Sequence, residues 1–155
     1  MSRVVLYHYL KNKGDLLEPR YIREMKKDLE QFQAVLGSQV SSGEKIKTSI
    51  QLLVKRATTR PLDFALSSKH NQDLPEDIKQ TSTELQSQVG NLWTEIIKQG
   101  VESVELHSSD PKLDTFAIIG MCLYAKNWYW SNGRLTPDQI SETFFNRIME
   151  GLAPR

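Results

Sequence analysis

Cysteine, histidine and long apolar runs are all scarce in this 155-residue sequence, and each scarcity removes a class of function. The single cysteine, Cys122, cannot staple the chain to itself and suits a reducing compartment. It lies inside an apolar run and reads as a small buried hydrophobe, with a redox sensor as the other reading. No apolar stretch approaches the roughly 20 residues of a membrane helix, and the N-terminus has no secretory h-region. The expectation is a cytoplasmic protein with no membrane partner. His8, His70 and His107 fall on different stretches, and none is spaced with Cys, Asp or Glu as a metal pair would be. A nucleophile elbow, a phosphate loop and a Gly-rich dinucleotide turn are missing. An enzyme is therefore not expected, nor a metal or other cofactor. Strand-like alternation and internal repeats are absent too, which leaves an all-α fold.

What is present is the composition of an ordinary globular protein, 39% hydrophobic and 25% charged, enough for one domain with an appended piece. The net charge of +1 hides an asymmetry. Residues 1–27 hold seven Lys/Arg against three Asp/Glu, and residues 28–155 hold thirteen against sixteen. The basic end is where a phosphate backbone would be met.

From about residue 13 to residue 36, Leu17, Tyr21, Ile22, Met25, Leu29, Phe32 and Leu36 recur with helical period, and Gly37-Ser38 supplies a stop. Pro19 must remove a hydrogen bond there, so the helix either starts at Glu18 or kinks. A second helix opens at Ser41-Ser42-Gly43, lines up Ile46, Ile50, Leu53, Val54 and Ala57, and ends near Arg60 before Pro61. A short apolar piece, Leu62 to Leu66, runs into a polar linker. Leu74-Pro75-Glu76-Asp77 is a helix start with acids at the positive end of the dipole. Ile78, Leu85, Val89, Leu92, Trp93, Ile96 and Ile97 carry that helix to Gly100. Asp110-Pro111 opens the next, whose run from Phe116 to Trp130 is apolar on nearly every side except for Lys126 and Asn127. Such a helix must be covered all round. After Ser131-Asn132-Gly133, Thr136-Pro137-Asp138 starts a last helix lined by Ile140, Phe144, Phe145, Ile148 and Leu152.

At the basic end, Ser2 can cap a short helix with Val4, Val5, Leu6, Tyr7 and Leu10 on its apolar side and Arg3, His8 and Lys11 on the other, and Asn12 offers a break and a new cap. Ser2, the run Tyr7-His8-Tyr9, Lys13 and Leu16 together resemble the C-terminal half of the DNA-binding domain of the tetracycline-repressor (TetR) family of one-component regulators. Leu10 is an extra apolar residue. Val4 and Val5 depart from the pattern, standing where that family has small or hydroxylated residues, and Gly14 stands where it has an acid. Two further helices precede the recognition helix in the family, and a helix-turn-helix docks through both of its helices. The resemblance therefore implies a remnant helix-turn-helix over residues 1–17, joined to a TetR-like helical ligand-binding and dimerisation domain over 18–155. From about Leu92 to Arg155, the order helix, Gly-Val-Glu, Asp-Pro, apolar helix, Trp-Tyr-Trp, Asn-Gly-Arg-Leu-Thr-Pro and helix is similar to one C-terminal subclass of the family. Regulators of fatty-acid or steroid catabolism that sense acyl-CoA thioesters occur in that subclass.

The resemblance implies a ligand-responsive, DNA-binding transcriptional regulator of repressor type, with an acyl-CoA or another apolar small molecule as effector. The other reading is a truncated helical dimer that binds a ligand or a partner but not DNA. Ser2 and Arg3 are the candidates for base edges of operator DNA, and Tyr7, His8 and Lys13 for phosphates. Tyr9 reads as packing. A ligand cavity, mostly apolar with few polar groups, is expected among Leu53, Arg56, Phe64, Trp93, Ile97, Met121, Tyr124 and Trp128, with Arg56 meeting an anionic group. Each apolar member of that set fits the core equally well, because periodicity does not separate core from pocket. The family dimerises through its last two helices. Independently, Trp128, Tyr129, Trp130, Phe144 and Phe145 are too many large apolar groups for a two-helix surface in water. A two-fold homodimer interface is expected at Trp130, Ile140, Phe144, Phe145 and Ile148.

Overall fold

The computed structural model describes the backbone of residues 3–59 and 75–152, and within those ranges the side chains from residue 19 onward. Five α-helices account for most of it: α1 (Arg3–Gly37), α2 (Ser42–Thr59), α3 (Glu76–Glu102), α4 (Pro111–Tyr124) and α5 (Pro137–Leu152). A 3-10 turn, Ala125–Asn127, prolongs α4. No strand occurs among the described residues. The piece expected from Leu62 to Leu66 lies outside them.

Helix α1 corrects one expectation. It runs through Asn12 without the break foreseen there, and Pro19 lies inside it. Asn and Gly cost at most about 0.7 and 1 kcal/mol in a helix interior, too little to interrupt good helix formers on both sides. Pro19 is on the exposed side, where water can reach the carbonyl it leaves unpaired. At 35 residues, α1 is about 52 Å long.

Helix α2 is the hub, touching α1, α3, α4 and α5. Its N-terminus is well satisfied: Ser41 Oγ accepts from Glu44 N at 3.2 Å, and Glu105 Oε2 accepts from Ser42 N at 2.7 Å. A carboxylate is favoured there by the helix dipole. Ile46, Ile50, Leu53, Val54 and Ala57 form its buried stripe. The first four meet Phe32 of α1, Trp93, Ile96 and Ile97 of α3, Ile118 and Cys122 of α4, and Ile140 and Leu152 of α5 in one core. A smaller cluster of Tyr21, Met25 and Leu85 fastens α1 along α3. Cys122 is fully buried and free, as a small hydrophobe would be.

The connection after α3 is tightly held. Glu105 N and Leu106 N both donate to Gly100 O at 2.9 Å, and His107 N donates to Leu152 O at 2.8 Å, tying the loop to the end of α5. Leu106 packs so closely on Gly100 that a Cβ there would lie 2.4 Å from its Cδ1. Val104 turns the corner at φ 62°, a left-handed conformation uncommon for a β-branched residue. Helix α4 begins at Asp110, whose side chain accepts from Lys112 N and Leu113 N, with Pro111 in its first turn. Helix α5 begins with a reciprocal cap: Thr136 Oγ1 accepts from Gln139 N at 3.3 Å and Gln139 Oε1 accepts from Thr136 N at 2.9 Å.

Candidate functional site

Three places carry the residues singled out in the sequence. The first is the seam between α1 and the body. Asp28 shares a helix face with Tyr21, Met25 and Phe32, all buried, and is itself only 5% exposed. A carboxylate in such a seam needs a counter-charge. Arg56 of α2 supplies it, with Nε 3.2 Å from Asp28 Oδ2. Arg56, expected to meet an anionic ligand, is thus engaged in joining α2 to α1.

The second place is the apolar interior behind that pair. Leu53, Trp93 and Ile97 are at most 2% exposed and belong to the main core, with the Phe32 ring 6.1 Å from that of Trp93. Two polar atoms interrupt this interior: Trp93 Nε1 and Ser49 Oγ are buried with no hydrogen-bond partner among the described residues. A group left so costs about 1–3 kcal/mol, which a polar group brought by a ligand would offset. Met121 is half-buried, and Tyr124 and Trp128 stand on the surface. Phe64 lies outside the described residues, as do Ser2 and the side chains of Arg3, Tyr7, His8 and Lys13.

The third place is the outer face of α4. Leu113, Phe116, Ala117, Gly120 and Tyr124 follow the spacing i, i+3, i+4, i+7, i+11 and are all exposed, while Thr115, Ile118 and Cys122 turn into the core. This helix is apolar on two opposite sides, and the described residues cover only one of them. Trp128 extends the face and meets Phe144 edge-on, with centroids 6.4 Å apart. A shallow cleft of about 210 Å³ lies beside it, lined by Trp128, Tyr129, Trp130, Gly133, Arg134 and Leu135. Among the residues expected at a dimer interface, Trp130 is exposed, whereas Ile140 is taken up by the chain's own core at 1% exposure. Phe144, Phe145 and Ile148 are half-buried against that core, and Lys47 Nζ lies 5.7 Å from the Phe145 ring centroid. Leu113, Phe116, Ala117 and Gly120 were not singled out. Their signal was the all-round apolarity of α4, which called for cover without saying which chain supplies it.

Among the described residues no group of three His, Cys, Asp or Glu could hold a metal ion, and no helix is long and apolar enough to cross a membrane. Residues 39–152 match the family model described as "Tetracyclin repressor-like, C-terminal domain". This chain belongs to the TetR family. The matched range starts just after α1 and ends with the last residue of α5, so the body, with its core and its uncovered α4 face, is a TetR-family C-terminal domain.

Solved structures agree on the fold. A TetR/AcrR-family transcriptional regulator from Thermobifida fusca superposes with a TM-score of 0.81 at 21% identity, over 97% of this chain and 80% of that one. FadR of Bacillus subtilis, solved in complex with stearoyl-CoA, gives 0.69 at 18% identity over 97% and 82%. AibR, solved in complex with isovaleryl coenzyme A and operator DNA, gives 0.68 at 18% identity over 95% and 80%. No curated protein matches the sequence.

Proposed function

We propose that this TetR-family chain is a ligand-responsive transcriptional regulator of repressor type. In this reading it acts in the cytoplasm as a homodimer on operator DNA and responds to an apolar small molecule, with acyl-CoA thioesters as the first class to test. The observation that carries the reading is the family match over residues 39–152. That domain is joined, through α1, to the basic stretch whose pattern resembles the reading head. Two regulators of similar fold, FadR and AibR, were solved with acyl-CoA ligands, and AibR with operator DNA as well.

The mechanism follows from differential affinity. An effector moves the equilibrium between body shapes only by as much as it prefers one of them. Trp93 Nε1 and Ser49 Oγ are the buried polar atoms that a ligand entering the apolar interior would satisfy. The long α1 would carry the resulting change toward Ser2, Arg3, Tyr7, His8 and Lys13, whose spacing between two protomers must match half-sites about 34–36 Å apart.

The test uses the full-length protein. Its operator is selected from a random DNA pool, and its affinity for that operator is followed by fluorescence anisotropy as acyl-CoAs of increasing chain length are added. A fall in affinity with a defined chain-length optimum supports the proposal. Sequence-specific binding that no acyl-CoA or apolar ligand alters removes the ligand half of it. Absence of any sequence-specific binding leaves a ligand- or partner-binding dimer instead.

A further inference from the structure

The packing of α2 on α3 brings two hydrogen-bond donors to one level of the core. Ser42, at the start of α2, meets Gly100, near the end of α3, so closely that a Cβ on the glycine would lie 2.9 Å from Ser42 Cβ. From that contact the shared core continues through Ile46, Ile50 and Leu53 of α2 and through Ile97, Ile96 and Trp93 of α3, so the two helices run in opposite directions. Ser49 stands seven residues after Ser42, and Trp93 seven residues before Gly100. Each step is two turns, about 10 Å along the axis, and returns to nearly the same face. Ser49 and Trp93 therefore oppose one another across the α2–α3 seam, both at 0% exposure.

Neither Trp93 Nε1 nor Ser49 Oγ has a hydrogen-bond partner among the described residues, so they do not bond each other either. The hydroxyls of Thr58, Thr94, Thr115 and Ser141 donate to the carbonyl four residues back, the usual outlet inside a helix, and that of Ser49 does not. An indole N–H only donates, and a hydroxyl rotates to suit. The group that completes both is an acceptor with two lone pairs. We infer that Ser49 and Trp93 form a two-donor clamp for the oxygen of an uncharged carbonyl on an apolar effector. The inference rests on the ligand-responsive reading above and adds the chemical class of the ligand, a ketone or thioester rather than a free carboxylate.

The charges around the pair decide between those acceptors. Lys45, Ser49 and Arg56 follow the spacing i, i+4, i+11 along one border of α2. Both cations are engaged: Lys45 Nζ donates to Gln99 Oε1 at 3.2 Å, and Arg56 Nε lies 3.2 Å from Asp28 Oδ2. Asp28 already places one carboxylate in this interior. A second would have to draw Lys45 or Arg56 from its present partner, or lose its hydration for two neutral hydrogen bonds. A carbonyl makes the same two bonds with no charge to desolvate. In an acyl-CoA the pantetheine arm separates the thioester carbonyl from the phosphates, so the carbonyl can enter while the charge stays in water.

The experiment uses the full chain with methyl hexyl ketone, octanoate and octanoyl-CoA, whose acyl or ketone parts have equal carbon counts. Isothermal titration calorimetry gives the affinities, and circular dichroism verifies that Ser49→Ala and Trp93→Phe are folded. Infrared spectroscopy of carbonyl-labelled ketone reads the hydrogen bonds directly. The ketone should bind about tenfold or more tighter than octanoate, and each variant should weaken it roughly three- to tenfold. Its bound carbonyl stretch should lie below the frequency in hydrocarbon and rise in either variant. Ser49→Ala should also raise the melting temperature of the ligand-free chain, because it removes a buried hydroxyl without a partner. A ketone that does not bind, binds no better than octanoate, or binds wild type and both variants alike overturns the clamp. If octanoyl-CoA changes the operator affinity of all three proteins equally, the clamp falls and the repressor reading stands. If ketone binding depends on Ser49 and Trp93 while no acyl-CoA or apolar ligand alters operator binding, the clamp stands and the regulatory reading falls.

Discussion

Removing either member of the Asp28–Arg56 pair should cost this protein a large part of its stability, whereas removing both should cost little. The pair lies 3.2 Å apart with side-chain exposures of 12% for Arg56 and 6% for Asp28. At an effective dielectric constant of 20, that separation corresponds to about 5 kcal/mol of attraction. Desolvation consumes several kcal/mol for each ion, so the pair nets little against an apolar replacement. A single deletion takes this counter-charge from the other member in the seam and costs about 3–5 kcal/mol, a large share of a total of roughly 5–15 kcal/mol.

The assay is a double-mutant cycle by urea denaturation at one fixed protomer concentration, with wild type, Asp28→Leu, Arg56→Met and the double variant. We expect the singles to lose about 3–5 kcal/mol each and the double to lose less than either, giving a coupling energy well above the roughly 0.5 kcal/mol of independent sites. Additive losses would refute the claim that the two side chains act as one unit. The cycle also bears on function. If Arg56→Met abolished the effector response while leaving stability untouched, Arg56 would be a ligand anchor, as its charge alone had indicated, and its role as a tether between α1 and α2 would fall.

Three further outcomes can be checked by unfolding measurements. Gly100→Ala should destabilise by about 1–3 kcal/mol through overpacking, because its Cβ would lie 2.4 Å from Leu106 Cδ1 and 2.9 Å from Ser42 Cβ; a melting temperature equal to wild type would show that the α3–α4 loop yields freely. Val104→Gly should instead stabilise by about 1 kcal/mol, since the left-handed φ of 62° carries a penalty for side chains that glycine escapes, and a lower melting temperature would refute this. Burial pushes the Cys122 thiol up from 9.0 to about 12, so the folded state holds its proton while the unfolded state releases it. That stabilising share is complete below about pH 9 and is lost as the pH climbs toward 12, at up to about 1.4 kcal/mol per pH unit. The stability of Cys122→Ala should fall less steeply than wild type between pH 9 and 11, and parallel slopes would contradict the burial effect.

Much of the fold was legible because its boundaries are written in local chemistry. Asp110-Pro111, Thr136-Pro137 with Gln139, and Ser41-Ser42 act through contacts within three residues, and the helices begin where those residues stand. The error in α1 has the same origin with the opposite sign. Asn12 and Gly14 cost little beside the helix formers around them, and Pro19, at about 3 kcal/mol, is carried by a long helix on its exposed side. The partnership of Asp28 with Arg56 left no trace in the pattern, since nothing local says which acid a basic residue on another helix will meet. Val104 breaks the rule that assigns left-handed positions to glycine, so the turn it makes carried no signal. The apolar stripe of Leu113, Phe116 and Tyr124 was visible but undecided: periodicity reports that a position is apolar and is silent on whether its cover comes from the same chain.

The seat of α1 on the body decides how the candidate site can work. From Asp28 to Arg3, α1 is an uninterrupted helix of about 37 Å, so a tilt of about 10° at the seam moves its far end by about 6 Å. A displacement of that size, applied in opposite senses by two protomers, is a substantial fraction of the roughly 34–36 Å between half-sites. The Asp28–Arg56 pair fixes α1 on the body and so sets the angle from which the tilt is measured. Trp93 lies close to that seat, with its ring beside Phe32 of α1 on one side and within the core shared with α4 on the other. Small changes in the apolar interior therefore bear directly on the seat of α1.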